Sequence, residues 1–230
     1  MGEVWRRLAS KCASRALQKD IVSVLSPLQV GVGVPGGAEA IVHAVSSLVG
    51  DGTSWILQVD FENAFNSIDR SSVLDEVRAN LPSLSAWAET SYGSSSNLLF
   101  KDNVLHSSTG VQQGDPLGPL FFALALHPVV KAIEERVPSL NANAWYLDDG
   151  CICGPRDAVG KAFEILQELC PSRGLTLNLN KCLIRSPSER QEFSSDPFPS
   201  SIPRLFKDGF TLLGSPIGDA GFSTVSFWIG

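Results

Sequence analysis

The run Tyr146-Leu147-Asp148-Asp149-Gly150 sets two adjacent carboxylates between apolar segments. Residues 141–147, Asn-Ala-Asn-Ala-Trp-Tyr-Leu, read as one strand, and Cys151-Ile152-Cys153 as a second. Asp-Asp-Gly suits the turn of a hairpin between them. Neighbouring acids repel each other and gain nothing in a neutral fold. At a turn they become useful when a divalent cation lies against them, because hard cations take carboxylate oxygens. An ordinary solvated turn is the plain alternative, and a third acid elsewhere weighs against it.

That acid is Asp60. Trp55-Ile56-Leu57-Gln58-Val59 is β-rich and almost wholly apolar, the composition of an interior strand, and it runs straight into Asp60-Phe61-Glu62-Asn63. A carboxylate closing a central strand, beside a hairpin carrying two more, can hold two Mg²⁺ ions about 3.5–4 Å apart for in-line phosphoryl transfer. Three acids without His or Cys suit Mg²⁺ better than Zn²⁺. Spacing alone leaves open whether the strand and the hairpin are neighbours.

Five segments stand in a telling order: Leu57-Gln-Val-Asp60-Phe61-Glu-Asn-Ala-Phe65-Asn66, Gly110-Val-Gln-Gln113-Gly114-Asp115-Pro-Leu-Gly-Pro-Leu120, Tyr146-Leu-Asp148-Asp149, Gly174-Leu-Thr-Leu-Asn-Leu-Asn-Lys181-Cys182 and Phe210-Thr-Leu-Leu-Gly214. They resemble the four catalytic motifs and the primer grip of reverse transcriptases, most of all those of non-LTR (LINE-like) retroelements. The resemblance covers roughly residues 28–218. It implies an α+β fold, a polymerase palm of antiparallel sheet backed by helices, with a partial fingers region and no thumb. Residues 1–54 would be fingers and connection, 55–218 the palm, and 219–230 a truncated tail. The implied function is RNA-directed DNA polymerase, with an RNA template, a DNA primer and deoxynucleoside triphosphates as partners. Its cofactor would be two Mg²⁺ ions, with Mn²⁺ as an alternative.

By the same resemblance, Asp60, Asp148 and Asp149 would be metal ligands, with the Phe61 backbone carbonyl as a further oxygen. Phe65 would lie beneath the incoming sugar, where a bulky ring clashes with a 2′-hydroxyl and favours a DNA product. It also fits a core ring on an amphipathic turn. Gln113-Gly114 resembles the loop that meets nucleotide and template, where glycine lets backbone come close. Lys181 resembles the lysine proposed to protonate departing pyrophosphate. It could equally act as a point charge or be a surface lysine. Leu147 departs from the Ala, Val or Met often found before the paired acids.

The 230 residues allow one good core, and 43% hydrophobic with 18% charged residues make the chain globular and rather apolar. No apolar run reaches the roughly 18–20 residues of a bilayer span, so no membrane partner is expected. The longest such run, Leu117–Val130, contains two prolines and reads as a buried helix.

A net charge of −6 is awkward for a phosphate-tracking enzyme. Residues 1–19 carry a local excess of four positive charges, leaving −10 on the remainder. Truncation of basic fingers and thumb surfaces accounts for this within the resemblance, and it implies weak template binding by this chain alone. Five irregularly spaced cysteines with three histidines complete no zinc site, and reduced thiols of an intracellular protein are the default.

Along the chain, helices are expected at Val4–Leu17, Ala38–Val49, from Ser71-Ser72 to Leu81 with Asp75 as capping-box acid, after an Asp115 cap with Pro116 first, and from Val159 to Arg173. Pro128 should kink the fourth. A hairpin is expected around Lys101-Asp102, a strand over Thr176–Ile184, and a short strand at Phe210–Leu213.

Two rivals remain. Gly31-Val-Gly33-Val-Pro-Gly36 has the G-x-G-x-x-G spacing of a dinucleotide-binding βαβ unit, although Pro35 interrupts it and Asp60 lies farther on than usual. A polymerase-like fold that no longer catalyses is the other, and retention of all three acids argues against random decay.

Overall fold

The computed structural model describes residues 4–101, 103–187, 197–206 and 209–218. Its centre is β1, Trp55–Val59, whose Ile56, Leu57 and Val59 are each no more than 1% exposed. Both faces of this strand are covered, which is why its sequence reads as a continuous apolar run. On one side β1 pairs antiparallel with β5, Asp149–Gly154, which pairs in turn with β4, Ala142–Tyr146. On the other it pairs antiparallel with β6, Leu183–Ser186, and β7, Arg204–Phe206, adds a parallel edge. The sheet order is β4-β5-β1-β6-β7.

Alternating side chains send the two faces into different cores. Leu57, Val59 and Ile152 join the larger one, built with α5 (Arg70–Asn80), α7 (Gly118–Arg136) and α8 (Arg156–Leu169). Ile56, Cys151 and Cys153 point the other way, against Ile41 and Val45 of α3 (Gly37–Gly50) and the small hairpin of β8, Phe210–Leu212, and β9, Ser215–Ile217. α7 is buried almost all round from Leu120 to Val130, as its composition predicts, and it runs on through Pro128 to Arg136. This is the expected α+β palm, with a parallel strand at one edge.

Several local expectations move. The N-terminal helix forms where expected, as α1, Val4–Ala16, but a second helix, α2, Gln18–Leu25, follows it after Leu17 alone. α5 is capped by Asp69, whose carboxylate accepts from the Ser72 N–H at 2.8 Å; Asp75 instead pairs with the exposed Arg78. α7 begins at Gly118 with Pro119 in its first turn, and Asp115 closes the turn before it by accepting from Leu117 N–H. Of the expected 176–182 portion only Leu177 makes a β-bridge, to Phe61 just beyond β1. Asn178 O then accepts from Lys181 and Cys182 in a turn, since Asn-Leu-Asn-Lys favours a turn over a strand. α6 (Ser85–Tyr92) follows α5, and the expected hairpin forms as β2 (Ser96–Phe100) and β3 (Asn103–Ser107). Asp102 lies outside the described residues.

The glycine-rich loop lies between α2 and α3, so no strand precedes it and the βαβ unit of the dinucleotide-binding reading does not form. Its Gly31 packs against Leu147: a Cβ there would meet the Leu147 nitrogen at 2.6 Å.

Candidate active site

Antiparallel register makes the strand and the hairpin neighbours. Val59 stands opposite Gly150, so Asp60, one residue beyond Val59, is level with Asp149, one residue before Gly150. Adjacent strands lie about 4.8 Å apart. The hairpin turn falls one residue earlier than Asp-Asp-Gly suggests. Tyr146 pairs with Asp149, the loop is Leu147-Asp148, and Leu147 takes a positive φ of 57°. A positive φ at the first loop position alone is the sign pattern of a type II′ turn. Asp149 is thereby a strand residue and Asp148 a loop residue, each at a different height above the sheet end.

The three carboxylates feel one another. Burial first, and then Asp60, push the Asp148 carboxyl above its ordinary value. Asp149 is still open to solvent, yet desolvation by its surroundings, then Asp148 and Asp60, push it up to about 6. One oxygen of Asp60, Oδ1, is buried without a hydrogen-bond partner. A buried, unpartnered carboxylate oxygen is costly, and a hard cation is the partner that oxygen-only donors fit. Among the described residues no three His, Cys, Asp or Glu side chains are already gathered tightly enough to hold an ion. The aspartates are close enough to raise one another's proton affinity without forming a closed cage.

Asp60 is held by the turn that replaces the expected strand. Its carbonyl accepts from Asn178 N–H at 2.9 Å, and its N–H reaches the Cys182 thiol at 3.4 Å. Both Asp60 backbone groups thus face the β6 side, so those of Phe61, one residue on, face the β4–β5 tip. That direction suits the Phe61 carbonyl as a site oxygen. The Phe61 ring itself is buried and stacks on Trp145 at 6.2 Å. Lys181 follows the 176–178 segment and is exposed.

Phe65 lies on α4 (Ala64–Ser67), half-buried, with its ring stacked on Phe122 at 4.5 Å. Its ring is a partly buried part of the core. The Gly110–Gly114 loop docks onto the same short helix: Val111 N–H donates to Phe65 O and Gly110 N–H to Ile68 O. Gly110, at φ 73°, has no room for a Cβ, which would meet Asn66 O at 2.4 Å. Gln113 and Gly114 are exposed at the far end of the loop. Asp60, Phe61, Asp148 and Asp149 therefore stand at the ends of β1 and β5, while Phe65 lies on the short helix α4, to which the Gly110–Gly114 loop is anchored.

Three supporting groups are not evident from spacing. Arg70 is 7% exposed and donates to Gly110 O, Ser107 O and Ser107 Oγ. The Tyr92 hydroxyl donates to Asp115 and accepts from Gln112 N–H, while Arg6 reaches Asp115 from α1 at 3.3 Å. Gln29, fully buried, binds the hairpin turn. Its only sequence signal is a polar residue inside the apolar run Leu28-Gln29-Val30.

A helix-backed sheet whose central strand and neighbouring hairpin bring three aspartates to one end has the architecture of a nucleic-acid polymerase palm. The family described as reverse transcriptase (RNA-dependent DNA polymerase) matches residues 2–217, and the chain belongs to it. It is 27% identical over 187 residues to the retrotransposable element SLACS 132 kDa protein of Trypanosoma brucei gambiense, covering 77% of this chain and 15% of that protein. Apo telomerase from Candida tropicalis, truncated from its C-terminal domain, superposes with a TM-score of 0.64 at 11% identity, over 93% of this chain and 44% of that one. Telomerase from Candida albicans, in complex with a fragment of telomeric RNA, gives 0.59 at 10% identity, over 91% and 38%. At these identities the telomerases share the fold. The chain thus spans less than half the length of each of these proteins.

Proposed function

We propose that this chain is the catalytic core of an RNA-directed DNA polymerase, extending a DNA primer on an RNA template. Residues 1–54 would serve as part of the fingers and 55–218 as the palm. The observation that carries the proposal is the convergence of Asp60, Asp148 and Asp149, with one Asp60 oxygen buried and unpartnered.

Asp60, Asp148 and Asp149 would hold the cations, with the Phe61 carbonyl as a further oxygen. Two divalent ions, Mg²⁺ or alternatively Mn²⁺, would when bound neutralise triphosphate charge and ease deprotonation of the primer hydroxyl. The protein does the rest by positioning and electrostatics. Phe65, stacked on Phe122, would set a bulky ring against a 2′-hydroxyl, so deoxynucleotides would be preferred. Gln113 and Gly114 offer an exposed side chain and an unobstructed backbone to the nucleotide. Lys181, exposed on the turn beside Asp60, supplies positive charge or a proton to the departing pyrophosphate.

Extension of a labelled DNA primer on RNA, with Mg²⁺ and either nucleotide type, tests the proposal in this chain or in a longer protein that contains it. Growth with deoxynucleotides that Asp148→Asn abolishes is expected. Undiminished extension by Asp148→Asn, or a preference for ribonucleotides, contradicts it.

A further inference from the structure

Before α3 the chain passes along the free edge of β4. Trp145 N–H donates to Leu28 O at 2.8 Å and Val30 N–H to Trp145 O at 2.9 Å, a parallel bridge centred on Gln29 and Trp145. Gln29 is 0% exposed. Its Oε1 accepts from Leu147 N–H at 2.8 Å and from Gly31 N–H at 3.0 Å, and its Nε2 donates to Leu147 O at 3.0 Å. This orientation of the amide is the one that satisfies all partners, since the flipped form would set an NH₂ against two N–H groups. Both backbone polar groups of Leu147 are therefore held by one side chain from a segment 118 residues away.

Leu147 is the residue that most needs holding. It is a branched side chain at φ 57°, a region that favours glycine and costs of order 1–3 kcal/mol in other residues. It also immediately precedes Asp148 and sits two residues before Asp149. Gly31 lets the segment approach so closely, because any Cβ would strike Leu147 N at 2.6 Å and its Cγ at 2.8 Å. A hairpin tip bearing two adjacent carboxylates would otherwise be free to flex away from its own repulsion. The Gln29 amide ties the backbone of the loop to the segment before α3.

We infer that Gln29 is a positioning residue, which fixes the Leu147 turn and so sets where Asp148 and Asp149 stand relative to Asp60. The inference rests on the metal-site reading proposed above. It extends that reading to a residue that touches neither nucleotide nor ion.

The test uses the whole chain with Mn²⁺ as probe, titrated by its paramagnetic resonance, alongside amide hydrogen exchange at Leu147 and Gly31. Gln29→Met keeps the length and removes the amide. It should speed exchange at both amides and weaken Mn²⁺ binding about tenfold, the scale at which residues behind a metal site act. Gln29→Asn, too short to reach Leu147 and Gly31 together, should do the same and serves if the Met variant does not fold. Val77→Ala, a core cavity in α5, should lower the melting temperature without moving Mn²⁺ affinity, which separates positioning from general stability. Folded Gln29 variants that bind Mn²⁺ as wild type does, while Asp148→Asn loses it, overturn the inference alone. Wild type and Asp148→Asn binding equally overturn the metal-site reading and the inference with it.

Discussion

Asp60 stands level with Asp149 across the β1–β5 pair, one residue beyond the matched Val59 and Gly150. Two carboxylates at that separation oppose each other whenever both are charged, and Asp148 on the adjoining loop adds a third. The strand pairing forces this arrangement, so the fold carries the repulsion wherever no cation offsets it. Sites that need such strain are commonly less stable than their neutralised variants.

Asp149→Asn should therefore raise the melting temperature of the metal-free chain. Asp149 is solvent-exposed, so screening limits the gain to about 1 kcal/mol or less, or roughly 2–4 °C at this size. Added Mg²⁺ should raise the melting temperature of wild type and not that of the variant. Scanning calorimetry with and without Mg²⁺ reads both effects, and a wild type indifferent to Mg²⁺ speaks against the site.

The Gly110–Gly114 loop depends on Tyr92, whose hydroxyl joins Asp115 to Gln112 N–H. Tyr92→Phe leaves the buried Asp115 with one partner fewer and should cost about 1–3 kcal/mol in urea unfolding at pH 7. Burial, with the Asp115 charge, pushes the Tyr92 hydroxyl up to about 12. Between its ordinary value of 10.0 and about 12 the folded state binds more protons than the unfolded state. Stability should thus fall as pH rises through that window, and the Phe variant should lack that component of the fall.

Phe65 should govern the choice of sugar. Its ring is braced by Phe122 at 4.5 Å, so removing it opens space rather than letting a neighbour collapse inward. Phe65→Ala should admit ribonucleotides, narrowing the preference for deoxynucleotides by at least tenfold in kcat/KM. Single-nucleotide incorporation on an RNA template measures the ratio, and an unchanged ratio removes Phe65 from the role.

Of the five thiols, only Cys12 is exposed. Burial pushes Cys170 up to about 12 and also raises Cys182, while the Cys151 thiol is raised by its hydrogen bond with the Cys153 thiol and by burial. A maleimide should label one cysteine in the native chain at pH 7.5 and all five in denaturant. Fast labelling at Cys182 would mean that the turn holding Asp60 opens readily.

The central elements were legible because they rest on strong local patterns. β1 is an apolar run with two covered faces, and α7 carries its buried length in its composition. Adjacency of Asp60 to the hairpin was not, since register is a property of the pairing and only the family resemblance anticipated it. The hairpin turn slipped by one residue because Gln29 and Gly31, from a distant segment, stabilise a positive φ at Leu147 that local chemistry disfavours. The position of Asp115 before Pro116 predicts a helix cap. Its bonds to Tyr92 and Arg6 come from α6 and α1, and no spacing along the chain encodes them. The strand expected from Thr176 fails at Asn178, where bonds to Lys181 and Cys182 close a turn that holds Asp60.

Diffraction from crystals of this chain soaked in Mn²⁺, with anomalous signal collected at the manganese edge, tests the account most directly. Two peaks about 3.5–4 Å apart, ligated by Asp60 and by the Asp148-Asp149 tip, are the predicted result. Peaks that contact the hairpin alone and leave Asp60 without an ion, or no peak at the ends of β1 and β5, would contradict it.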